Sequence, residues 1–199
     1  LGLVGSEMCI RDRNGDGTPD FMAGAPDADG RSGTFYILSL DDVSGGVGDA
    51  LFTMEFTHNN DAYFGYDSAA LGDVTGDGLD DVIVSARRDS RLFNNGGAVT
   101  FIAGGSTPED AVVHYSEGGG DHYGFAVANL GDVDGDGMTD VAFGVPYGDA
   151  EVNNGGEVMV FSAPDLTTER VPEDATVRFT GPDSKARAGT SLRGPGDVN

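Results

Sequence analysis

The chain has 199 residues, enough for one domain with its own core or for part of a larger one. Its 34 acidic and 11 basic residues leave a net charge of −23, which excludes nucleic acid and anionic membrane surfaces as partners, since both need a basic footprint. A single cysteine, Cys9, rules out a disulfide framework, and no apolar run approaches the roughly 18 residues of a membrane span, so membrane insertion is excluded too.

Residues 1–13, LGLVGSEMCIRDR, have neither the apolar core nor the small-residue cleavage site of a signal peptide. They resemble the translated read-through of a sequencing adapter and are expected to be a non-native segment, with the fold running over 14–199. Asp12 nevertheless falls in register as the first position of an acidic loop that continues through Asn14, Asp16, Thr18 and Asp20. Short strands are predicted at 21–25, 33–38 and 51–56, the last alternating Phe52, Met54 and Phe56 with the period of two that a half-buried strand needs.

A second unit spans about 64–116. Its strands are predicted at 68–71, 82–86, 98–103 and 111–115, and its acidic loop runs through Asp73, Thr75, Asp77, Leu79 and Asp81. The third, about 123–180, repeats the plan with strands at 126–130, 141–145, 157–161 and 176–179. Its loop runs through Asp132, Asp134, Asp136, Met138 and Asp140. A fourth unit, 188–199, breaks off after three loop positions. The loops begin at 12, 73, 132 and 197, a period near sixty that marks a repeat architecture. No segment of 10–12 residues shows helical periodicity.

Each loop sets side-chain oxygens at positions one, three, five and nine, with a glycine at position six: Gly17, Gly78 and Gly137. Position seven, held by Thr18, Leu79 and Met138, is expected to offer its backbone carbonyl. A cation of calcium size takes six to eight oxygens at about 2.3–2.6 Å, and a short curled loop supplies them. Calcium is therefore the expected cofactor; carboxylate counts rank the loops third, first, second in expected affinity. An EF-hand would need Glu at position twelve and flanking helices, but Ala23, Val84 and Phe143 stand there inside predicted strands.

The histidines, His58, His114 and His122, have no partners at zinc-ligand or catalytic spacing and are expected at the surface or strand edges. No G-x-S-x-G elbow or phosphate-binding loop occurs, and no catalytic residues are assigned. Phe64, Tyr123, Phe101 and Phe161 are expected to pack between units.

Further landmarks hold register. An aromatic-glycine pair, Phe64-Gly65 and Tyr123-Gly124, stands nine residues before the loop, with Ala188-Gly189 in its place in the fourth unit. A small-residue corner stands twelve after it: Gly24-Ala25-Pro26, Ser85-Ala86-Arg87 and Gly144-Val145-Pro146. With the acidic loops between them, these landmarks resemble the FG-GAP repeat of integrin α-chain propellers and of many secreted bacterial proteins. The resemblance implies an all-β fold, a seven-bladed β-propeller of four-stranded antiparallel blades, of which this chain holds about three blades and the start of a fourth. It implies an extracellular or cell-surface location, a calcium loop in a hairpin within each blade, and a non-enzymatic binding or adhesion platform for a protein or glycan ligand on the propeller face. Two alternatives stand beside it. One is the non-catalytic propeller of a secreted hydrolase (a phospholipase or polysaccharide-acting enzyme) whose catalytic domain lies elsewhere. The other is a purely structural repeat array of a large surface protein.

Overall fold

The computed structural model describes residues 9–10, 13, 17–39, 50, 52–55, 61–149, 153–168 and 172–194. Its strands form three four-stranded antiparallel sheets. The first joins β1 (Cys9–Ile10), β2 (Asp20–Ala25), β3 (Thr34–Ser39) and β4 (Phe52–Glu55). The second joins β5 (Phe64–Gly72), β6 (Asp81–Ala86), β7 (Ala98–Ile102) and β8 (Val112–Tyr115). The third joins β9 (Val127–Gly131), β10 (Asp140–Val145), β11 (Glu157–Ser162) and β12 (Val177–Thr180). Sequence neighbours pair throughout, so each sheet is one up-and-down blade of a partial β-propeller. β1 lies within residues 1–13, where it pairs Cys9 with Phe21 and Ile10 with Asp20, the place β5 and β9 hold in their own blades.

Period-two alternation explains how the blades stack. On β6, Val82, Val84 and Ala86 join a cluster with Phe35 and Ile37 of the first blade. Ile83 points the other way and packs in a cluster with Val127, Val141 and Phe143 of the third. Every residue of β6 is buried, as expected for a strand covered on both faces. Burying each Val, Ile or Phe is worth about 1.5–3 kcal/mol, so the stack itself is the main source of stability. Phe35 sits edge-on to Phe64 across the first joint at 6.4 Å; within the third unit Tyr123 is edge-on to Phe143 at 5.6 Å and Phe143 lies against Phe161 at 5.2 Å, in a core cluster that Phe101 of the second blade shares.

The FG-type pairs mark the joints between blades. Gly33 forms a parallel bridge with Phe64, Gly97 with Tyr123, and Gly156 with Ala188. Each joins the start of a third strand to the start of the next blade. A Cβ at Gly24 would collide with the carbonyl oxygen of Gly65, and one at Gly144 with that of Gly189. The glycines of one unit's FG and the previous unit's GAP thus share one close backbone contact. The middle corner carries Ser85 instead, and there Gly124 supplies the room.

Because the bridges are parallel, the blades point the same way. The β1–β2, β5–β6 and β9–β10 hairpins therefore open on one rim. The β2–β3, β6–β7 and β10–β11 corners open on the other.

Candidate metal centres

The second and third acidic loops sit in hairpins after a bulge. Register shifts at Gly72/Asp81 and Gly131/Asp140, and both glycines take positive φ, +76° and +73°. That conformation turns the chain out of the ladder into the loop, and it suits glycine because there is no Cβ to clash.

In the third loop, Asp132, Asp134 and Asp136 are exposed, and each can place a carboxylate oxygen so that all three lie within 4.8 Å of one another. Backbone N–H groups organise them. Asp132 Oδ1 accepts from Gly135 at 2.7 Å and Asp136 at 3.1 Å, while Oδ2 accepts from Gly137 at 2.8 Å. Asp136 Oδ1 accepts from Met138 at 2.8 Å. The second loop repeats this wiring, with Asp73 accepting from Gly76, Asp77 and Gly78, and Asp77 from Leu79. These donors offset part of the repulsion among neighbouring carboxylates, and each oxygen that accepts a single N–H has a second lone pair beyond the one so occupied.

Position nine behaves differently. Asp20, Asp81 and Asp140 are buried, and each accepts the N–H of position two in its own loop: Arg13 at 2.8 Å, Val74 at 2.8 Å and Val133 at 2.9 Å. Asp81 also accepts from Thr75 at 2.9 Å and, across the blade, from Gly104 at 2.7 Å. Burial pushes the Asp81 carboxyl above the ordinary range, against the pull of those N–H donors. Burial likewise raises Asp140, with its loop's other aspartates adding to the shift. A position-nine carboxylate therefore closes the loop as well as bordering it. Asp140 stands outside the close trio. Thr18 and Asp20 are described in the first loop, whereas Asp12, Asn14 and Asp16 lie outside the described residues, as does Asp197.

Arg13 is a contributor that sequence reasoning missed. It is buried, its Nη2 donates to the Ala103 carbonyl at 2.6 Å, and its guanidinium lies 4.5 Å from the Phe52 ring centroid. Burial lowers its pKa, while Asp81, Asp20 and Asp77 favour its charge. It places a cation behind the first two loops. The doublet Asp-Arg at loop positions one and two was its only sequence sign.

The histidines need one correction. His114 is fully buried rather than superficial: its position on β8 turns it inward, and Nε2 lies 3.1 Å from the Leu166 carbonyl oxygen. His122 is half-buried and stacks on Phe125, and His58 lies outside the described residues. Burial, reinforced by Arg87 and Arg88, lowers the His122 pKa to about 4 from 6.5. The folded chain thus binds fewer protons than the unfolded chain between these values. Its contribution is fully present above about pH 6.5 and is lost as pH falls toward 4. After discounting for partial exposure, about 1–2 kcal/mol should disappear across that window. Denaturant titrations of wild type and His122→Asn should diverge in their pH slopes; parallel slopes would remove this assignment.

An all-β stack of blades, with an aspartate loop in a hairpin of the second and of the third, defines a repeat-built β-propeller protein. Residues 64–102 and 123–161 each match the FG-GAP repeat family. The chain is 30% identical over 167 residues to integrin alpha-5 of Xenopus laevis, covering 79% of this chain and 15% of that protein. It is 26% identical over 206 residues to integrin alpha-8 of Mus musculus, covering 98% and 18%. It is 37% identical over 109 residues to integrin alpha-PS2 of Drosophila melanogaster, covering 50% and 8%. This chain belongs to the FG-GAP, integrin α-like family, and it spans less than a fifth of the length of these relatives.

Proposed function

We propose that the chain is a calcium-stabilised β-propeller segment serving as a non-enzymatic binding or adhesion platform at the cell surface, with a protein or glycan ligand on the propeller face. The observation that carries the reading is the exposed trio Asp132, Asp134 and Asp136, whose oxygens lie close enough to share one ion. Hard carboxylate oxygens on a short loop suit calcium. In the third loop the ion would be held by these three, with Asp140 and the Met138 carbonyl completing the set. In the second loop Asp73, Thr75, Asp77, Asp81 and the Leu79 carbonyl would hold it. In the first, Asp12, Asn14, Asp16, Asp20 and the Thr18 carbonyl would do so. The ion neutralises charge that the N–H donors only partly offset, and so stiffens the hairpins at one rim. The platform role and the cell-surface location draw support from the family and from the integrin alpha relatives. Among the described residues, no helix is long and apolar enough to cross a membrane.

Thermal melting in millimolar calcium against chelator is the test. A site bound only in the folded state adds about 2.7 kcal/mol when calcium stands at 100 times its Kd. For a chain of this size that raises Tm by roughly 5–10 °C per occupied loop. Replacing Asp134 and Asp136 by asparagine should remove the third loop's share. A midpoint indifferent to calcium would end the proposal.

A further inference from the structure

The rim opposite the aspartate loops carries a cation of unusual setting. Arg87 ends the corner Ser85-Ala86-Arg87, where the flanking units place Pro26 and Pro146. Its guanidinium carbon lies 4.2 Å from the Tyr66 ring centroid, 4.6 Å from that of Tyr63 and 5.4 Å from that of Phe125. Phe125 belongs to the next unit, so the collar straddles the joint between the second and third blades. The side chain is half-buried, and its Nε is buried without a hydrogen-bond partner. Among the described residues no carboxylate pairs with it. The neighbouring cations differ: Arg31 meets Asp61 at 2.6 Å, and Arg91 meets Asp89 at 2.6 Å. Arg88 lies beside the collar, its guanidinium carbon 5.6 Å from the Tyr63 centroid. His122 stacks on Phe125 and touches Tyr147, and its Nδ1 is buried without a partner.

We propose that Arg87, walled by Tyr63, Tyr66 and Phe125 and flanked by Arg88 and His122, is a receptor site for a carboxylate side chain of a protein ligand. A guanidinium presents paired N–H donors that match a carboxylate, and stacking on rings holds its plane before the ligand arrives. Partial removal of water strengthens the pairing relative to an exposed arginine. The chain's net charge of −23 disfavours a polyanion that carries charge over a long reach, such as a sulfated glycan. A single carboxylate is a different case, because repulsion from charges beyond about 8 Å is screened at physiological salt. Apolar flanks on the ligand also have a counterpart: the same β6–β7 loop exposes Leu92 by 61% and Phe93 by 43%. The site deepens the platform reading and rests on it, yet it needs no metal, so the melting test and the binding test fail separately.

Fluorescence anisotropy should be measured with a labelled, end-blocked hexapeptide of leucine and serine carrying one glutamate, its counterpart with glutamine in that place, and a sulfated hexasaccharide. The glutamate peptide is expected to bind, the glutamine peptide at least tenfold more weakly. Arg87→Met, which keeps an apolar occupant in the collar, should weaken glutamate-peptide binding about tenfold or more with an unchanged circular dichroism spectrum. Arg88→Gln, outside the centre of the collar, should weaken it less. Bound carboxylate should also raise the His122 pKa, read from its ring proton shifts. The proposal is overturned if the glutamate peptide does not bind, if both peptides bind alike, if folded Arg87→Met binds as wild type does, or if only the sulfated sugar binds. Should Arg87→Met fail to fold, an unmoved His122 titration on adding the glutamate peptide to wild type overturns it equally.

Discussion

Asp81→Ala is expected to destabilise the chain by about 3–6 kcal/mol, because three backbone donors lose their acceptor together. Val74, Thr75 and Gly104 all point N–H groups at this one carboxylate, which is inaccessible to solvent. Two of them shape the aspartate loop and the third belongs to the turn after β7. The change therefore loosens two connections at one rim of the middle blade. For a chain of this length the Tm should fall by roughly 6–24 °C. Asp81→Asn keeps one acceptor oxygen and should lie between alanine and wild type. Much of the loss should persist in chelator, since the N–H bonds need no ion. A loss seen only in calcium would reduce Asp81 to a ligand and remove its role as a brace.

Gly97→Ala is expected to cost more than about 4 kcal/mol, a size reserved for changes that break a specific packing arrangement. Gly97 has φ of +90°, which alone costs an alanine roughly 1–3 kcal/mol. The added Cβ would also press into the Tyr123 carbonyl oxygen and sit 2.6 Å from the Tyr123 nitrogen. Tyr123 cannot yield easily, because it is buried in the core between the second and third blades. Relief would mean opening that joint. Gly120→Ala is the control: its φ is +86°, but nothing lies within 4 Å of the new Cβ, so only backbone strain applies. Chemical denaturation of both variants separates the two causes. Equal losses would show that φ, not the blade joint, sets the cost.

Local features are legible in the sequence itself. The aspartate loops occupy nine contiguous residues, so ligand chemistry and turn geometry appear in one short window. Most strands of the three blades announce themselves by apolar runs bounded by glycine, proline and asparagine. β1 does not: it lies within residues 1–13, which the sequence sets outside the fold, and two residues cannot express a period. His114 was misplaced for a related reason: nothing in the tetrapeptide Val112–Tyr115 tells which side of β8 meets the turn at Leu166.

The FG and GAP landmarks lie between these cases. Their spacing is visible in the chain, but their purpose is not. Gly33 and Phe64 are 31 residues apart, and Gly24 and Gly65 are 41 apart. Only the packed blades show that these positions are glycine because two backbones touch there.

The sequence by itself determined the repeat, the strands of the second and third units, the aspartate positions and the family. Each of these depends on residues close together or on a pattern recurring at constant spacing. The tertiary structure alone decided which carboxylates cluster and which are buried as braces, that Arg13 stands behind the loops, and that Arg87 sits among three rings. Those outcomes depend on burial and on contacts between units about sixty residues apart, and a linear string carries neither solvent exposure nor distance in space.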